Sequence, residues 1–121
     1  ENKNSLISQK YIQAGLYLSS NEIEDAKKIY EEIILSKNKF YSILALNTII
    51  EKNLESNEEK ILKYFNIIDS IKISDQQRDI LRFKKILFLI KISKIDEAKK
   101  LISKISPESE LKRIVDQIPL K

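Results

Sequence analysis

The sequence predicts an all-α chain, a right-handed α-solenoid of about three helix hairpins closed by a C-terminal capping helix. Three observations predict it. The 121 residues include one Gly and two Pro, too few for a fold that turns on tight loops or β-hairpins. Apolar residues recur at helical spacing along nearly the whole chain, interrupted only by short Ser, Asn and Asp punctuation. One segment of seven residues then recurs at a distance of 72, from Ile23 to Ile95. Strict two-residue alternation never extends beyond Ile71-Lys72-Ile73, so the abundant Ile does not indicate strands.

The elements follow in order. A first helix is expected over about 5–19, with Leu6, Ile7, Tyr11, Ala14 and Leu18 on a broad apolar face. Asn21 reads as the N-cap of a second helix, with Glu24 and Asp25 near its positive end, running to about Ser36. A third helix covers about 39–53. Ser56, with Glu59 three positions on, suggests a capping box for a fourth over 57–71. Ser74 and Gln77 repeat that logic for a long fifth helix over 75–92. A sixth follows over 94–106. Ser106-Pro107-Glu108 then offers a cap with Pro in the first turn, where its missing N–H costs nothing, opening a seventh helix over 107–118. The hairpins are thus 5–36, 39–71 and 75–105, within one domain spanning 1–121.

The internal match selects a solenoid over a simple bundle. Ile23-Glu24-Asp25-Ala26-Lys27-Lys28-Ile29 reappears as Ile95-Asp96-Glu97-Ala98-Lys99-Lys100-Leu101, and Ile33 falls on Ile105. Two units of about 36 residues fit between the copies, close to the tetratricopeptide period of about 34. A small residue early in the second helix of a pair lets it approach the first; Tyr30, Phe65 or Ile102, four positions on, fills the groove between pairs. The middle unit has no small residue at that place.

Tyr11, Ala14-Gly15, Tyr17 and Glu24-Asp25-Ala26 to Tyr30 resemble a tetratricopeptide hairpin. Phe40-Tyr41-Ser42-Ile43-Leu44-Ala45, then Tyr64 with Ile67-Ile68-Asp69, then Gln77-Arg78-Asp79-Ile80-Leu81 extend the likeness. In that order they resemble the domain of the YfgM family, ancillary translocon subunits of bacterial inner membranes. Leu81 stands where that family usually has Ala, and the Gly that often punctuates each hairpin is missing between Ser19 and Glu22. The resemblance implies an N-terminal membrane anchor upstream of this chain and a periplasmic location. It also implies Sec translocon components and periplasmic folding factors as partners. The chain begins at Glu1 rather than Met and reads as a trimmed piece. Its longest apolar run, Ile86 to Ile90, is far short of the roughly 20 residues that cross a bilayer, so the chain itself is expected to be soluble.

Chemistry is poorly provided for. With no His and no Cys, the commonest acid–base groups, nucleophiles and metal ligands are missing, and one Gly cannot make a phosphate loop. Adjacent carboxylates such as Glu31-Glu32 diverge by about 100° on a helix and do not converge on one atom. No catalytic, cofactor or metal site is expected. Binding of other proteins is. Arg78, Arg82 and Lys85 share one face of the fifth helix, suited to an acidic peptide or chain terminus, although a solvated face with Asp75 and Asp79 explains them too. Tyr11 and Tyr41 are candidate interface anchors, with packing between hairpins as the plainer role. The net charge of +4 comes from interspersed charges, and no nucleic-acid contact is expected. Alternatives are a basic-surface binder of RNA or acidic lipid headgroups, and a self-associating structural domain.

Overall fold

The computed structural model describes residues 3–120; of the expected 1–121 span, Glu1, Asn2 and Lys121 lie outside the described residues. Seven α-helices and no strand are present among them: α1 Lys3–Ser19, α2 Ile23–Leu35, α3 Tyr41–Glu51, α4 Glu58–Asp69, α5 Asp75–Lys91, α6 Ile95–Ile102 and α7 Glu110–Asp116. They form two compact units, one ending at Lys72 and the other beginning at Ile73.

In the first unit α1 packs along α2, α2 along α3, and α4 rests on α2 and α3. Small residues are buried in this unit, with Ala14, Ala26 and Ala45 all fully buried, as close packing of helices favours. Around them Tyr30, Ile33, Ile34, Leu46, Ile49, Phe65 and Ile68 make the core. Ser42, also fully buried, donates its hydroxyl to the Ile33 carbonyl at 2.9 Å, so the end of α2 is satisfied by α3 rather than by water.

The turn from α1 to α2 explains how a hairpin closes without glycine. Asn21 adopts φ 61°, its N–H bonds the Leu18 carbonyl at 3.1 Å, and the Glu22 N–H bonds the Tyr17 carbonyl at 2.8 Å. That is a Schellman motif with Asn in the left-handed position. Asn21 is therefore not the N-cap of α2. Glu22 occupies that place without a side-chain cap, because a three-residue connection leaves no room for a separate cap. Asn and the short connection together set the chain reversal.

The second unit repeats the turn. Ser93 has φ 64°, its N–H bonds the Ile90 carbonyl at 3.0 Å, and the Lys94 N–H bonds the Leu89 carbonyl at 2.8 Å. Ala98 is fully buried like Ala26, and Ile86 and Ile105 are buried like Ala14 and Ile33, each 72 residues apart. The sequence match is thus matched in backbone and burial. Asn53, at φ 52°, closes α3 the same way, with the Leu54 N–H on the Ile49 carbonyl at 2.9 Å and both side chains buried.

Three further boundaries differ from the sequence expectation. Asn57, not Ser56, caps α4, accepting the Lys60 N–H at 3.2 Å. α6 ends at Ile102 instead of near Ser106, since Ser106 precedes Pro107 and is steered away from helical backbone, while Ile105 turns into the core. Carbonyls at its end and just beyond it are met by cations: Lys112 Nζ donates to Ile102 O at 3.2 Å and Arg82 to Lys104 O at 3.1 Å. Pro107 and Glu108 form a turn closed by Ser109 N–H to Ser106 O at 3.0 Å, so α7 starts at Glu110 with Ser109 as its cap. The Ser74–Gln77 capping box of α5 is present as expected.

Candidate functional site

Exposed apolar side chains are unevenly distributed. Leu6, Ile12 and Leu16 lie on α1, Phe40 at the start of α3, Ile80 and Leu87 on α5, and Ile114 on α7. Among the described residues α4 and α6 have no large exposed apolar side chain, and α2 has only Leu35, its last residue. On α1 the exposed positions Leu6, Gln9, Ile12, Gln13 and Leu16 fall on one arc of the helix, and none is charged. Such a face exposes apolar area without charge to solvate it, which makes it a candidate binding surface.

At the start of α1 this face runs into a groove of about 1110 Å³, lined by Asn4 to Lys10 and by Ser36 to Tyr41 of the α2–α3 connection. The connection is fixed locally. Asn38 Oδ1 accepts the backbone N–H groups of Phe40 and Tyr41 at 3.0 and 2.9 Å, starting α3, and Asn38 Nδ2 reaches Asn4 Oδ1 at 2.8 Å. Phe40 is held out at 62% exposure, its ring 4.9 Å edge-on from Tyr41, while Leu6 is 46% exposed. The structure brings the two candidate tyrosines together: Tyr11 lies 5.5 Å from Tyr41 and 5.9 Å from buried Tyr30. Burial, with the neighbouring Tyr11, pushes the Tyr30 phenol pKa up. Tyr11 therefore packs inside the aromatic cluster, and Tyr41 both packs there and lines the groove.

In the second unit Arg78 and Arg82 line a separate groove of about 820 Å³, together with Ile80 and with Ile114 of α7. Lys85 does not line it, although all three cations are half-buried. Arg82 is engaged by the fold, donating to Lys104 O and standing 3.8 Å from the buried Asp79 carboxylate. Acidic Asp75, Asp79, Glu108 and Glu110 share the lining with Arg78, Arg82 and Lys104, so the charge there is mixed.

Sequence reasoning missed a polar cluster in the first unit. The Glu55 side chain, only 4% exposed, accepts the Asn57 N–H at 2.9 Å and lies 3.3 Å from Lys27 and 3.9 Å from Lys60. Burial works against its charge, but the Asn57 bond and the two lysines prevail, leaving its pKa below the usual carboxylate value. Lys60 also lies 3.9 Å from Glu31, which accepts the Tyr64 hydroxyl. Burial, with the Glu31 bond and charge and that of Glu55, pushes the Tyr64 phenol well above its ordinary value. Opposite charges alternate through this cluster, and its geometry joins α2 to α4. No sequence pattern marks it, since Glu55 follows Leu54 in what reads as a solvated connection.

The groove did leave a signal. Between Lys3 and Asn21, and again between Ser36 and Ile50, the sequence has no Asp or Glu at all. Among the described residues no group of His, Cys, Asp or Glu is arranged to hold a metal ion, and no helix is long and apolar enough to cross a membrane. Comparison with known proteins finds no matching family model, no matching curated protein and no matching solved structure.

Proposed function

We propose that this chain is a non-catalytic protein–protein interaction module, its hairpins stacked as a right-handed tetratricopeptide-like solenoid. The observation that carries the reading is that, among the described residues, six of the eight large exposed apolar side chains lie on α1, α5 and the start of α3, the first helices of successive pairs. First helices line the concave surface of such solenoids, where partners lie. The hairpin turn repeated at Asn21 and Ser93, each followed five positions on by a buried Ala, supports the repeat itself. The missing His and Cys support a scaffold over an enzyme.

On the YfgM-like resemblance, the module belongs on the periplasmic face of a bacterial inner membrane, held by an anchor upstream, and assists the translocon or envelope protein folding. Crosslinking of the full-length protein in native membranes, with identification of the captured chains, tests both parts. Translocon or periplasmic folding components are expected. Other protein partners would remove the family assignment and keep the module; no protein partner would remove both.

A further inference from the structure

We infer that the groove between the start of α1 and the α2–α3 connection takes an acidic peptide segment of a partner protein, anchored by an apolar side chain. The inference rests on the interaction-module reading and names the chemistry of its partner. Three observations carry it.

The first is charge. Among the described residues the groove lining holds Lys10, Lys37 and Lys39 and no carboxylate. Lys10 is already paired with Glu32 at 2.9 Å, but Lys37 and Lys39 are exposed on the connection. Both segments that build the groove belong to stretches without acidic residues, and the nearby Glu32 carboxylate is taken up by Lys10, which leaves Lys37 and Lys39 to set the sign of the field. The groove of the second unit differs: its carboxylates offset its cations, and it selects no sign of charge.

The second is the apolar content. Phe40 and Leu6 line the same groove and stay in water, and the remaining lining is mostly amide and hydroxyl side chains that accept or donate without charge. An aliphatic or aromatic residue of a partner covers both, while its flanking carboxylates meet Lys37 and Lys39. The third is shape. A groove of about 1110 Å³ exceeds the usual small-ligand pocket of roughly 300–1,000 Å³ and suits a short length of chain.

The test uses the isotope-labelled chain and two synthetic peptide pools, one alternating Leu or Phe with Glu or Asp, the other carrying Lys in place of every acid. Backbone amide shifts are followed on titration, and vesicles of phosphatidylcholine with and without phosphatidylserine are run in parallel by co-sedimentation. The acidic pool is expected to shift amides of Leu6 and of Lys37 to Tyr41, to bind more weakly as salt rises, and to outbind the basic pool. Phe40→Ser, and separately Lys37→Glu with Lys39→Glu, are expected to weaken binding at least about tenfold while helical content is kept, since all three side chains are exposed. Shifts confined to another surface would overturn the groove and leave the interaction module standing. Failure of both pools, with no partner captured in membranes, would overturn both. Co-sedimentation with the phosphatidylserine vesicles that depends on Phe40, without peptide binding, would overturn the inference in favour of a lipid surface.

Discussion

The α1–α2 and α5–α6 hairpins close with the same Schellman turn and bury the same Ala, yet they are supported differently. α2 buries Ala26, Tyr30, Ile33 and Ile34, whereas α6, eight residues long, buries only Ala98. Tyr30 is inside the aromatic cluster, but Ile102, its counterpart 72 residues on, is half-buried. The turn is encoded locally, in a left-handed residue and two backbone bonds. The strength of the hairpin comes from what its second helix packs against, which is α3 and α4 in one unit and short α7 in the other.

All five tyrosines precede Ile73, so tyrosine fluorescence follows the first unit alone while far-ultraviolet dichroism follows both. The largest contrast expected is between Tyr30→Ala and Ile102→Ala. The first should cost about 3–4 kcal/mol, seen in the fluorescence transition; the second, half-exposed already, about 1–2 kcal/mol in the dichroism alone. Equal losses would mean that the two second helices are equally supported.

Next comes Glu55→Gln, expected to cost the first unit about 2 kcal/mol near neutral pH by removing the charge that Lys27 and Lys60 face. The folded pKa of Glu55 is depressed, so its contribution is present above the ordinary carboxylate pKa and lost as pH falls through the lower folded value. Acid titration followed by tyrosine fluorescence should therefore show wild type and variant converging at low pH. A gap that stays constant into acid would detach the effect from ionisation.

Caps give smaller effects. Asn57→Ala should destabilise the first unit, and Ser74→Ala the second, by about 1 kcal/mol each, with Ser56→Ala close to neutral. Denaturant midpoints of the three variants decide it. The smallest change is a gain. Ser93→Gly should stabilise the second unit by about 0.5–1 kcal/mol, because Gly enters the left-handed region without the Cβ penalty, while Asn21→Gly should do much less, Asn being tolerant there. Thermal melts of the pair check whether the two turns carry unequal strain.

These effects also mark what was legible beforehand. The box at Ser74 could be read because Ser and Gln at that spacing satisfy each other's backbone locally, and the repeat could be read because buried Ala26 and Ala98 keep their sequence neighbours. Asn21 and Ser56 were misplaced for one reason: several consecutive residues had capping side chains, and the length of the connection, not the residue type, chose among them. Tyr11 and Tyr41 could be named as candidates, but not their meeting, which depends on how α1 and α3 cross. Glu55 was invisible because its nearest cation, Lys27, stands on α2, far from it in sequence. Helical periodicity reports the face of one helix, not the neighbour that covers it.

The proposed role as an interaction module rests on the uneven apolar surface, and photo-crosslinking in cells tests it most directly. A photoreactive residue placed singly at Leu16, Phe40 or Leu87 should form adducts with another protein, and the same group at Lys28 or Lys100 on the second helices should form none. Adducts from Lys28 and Lys100 but not from the first-helix positions would contradict the account, as would no protein adduct from any of them.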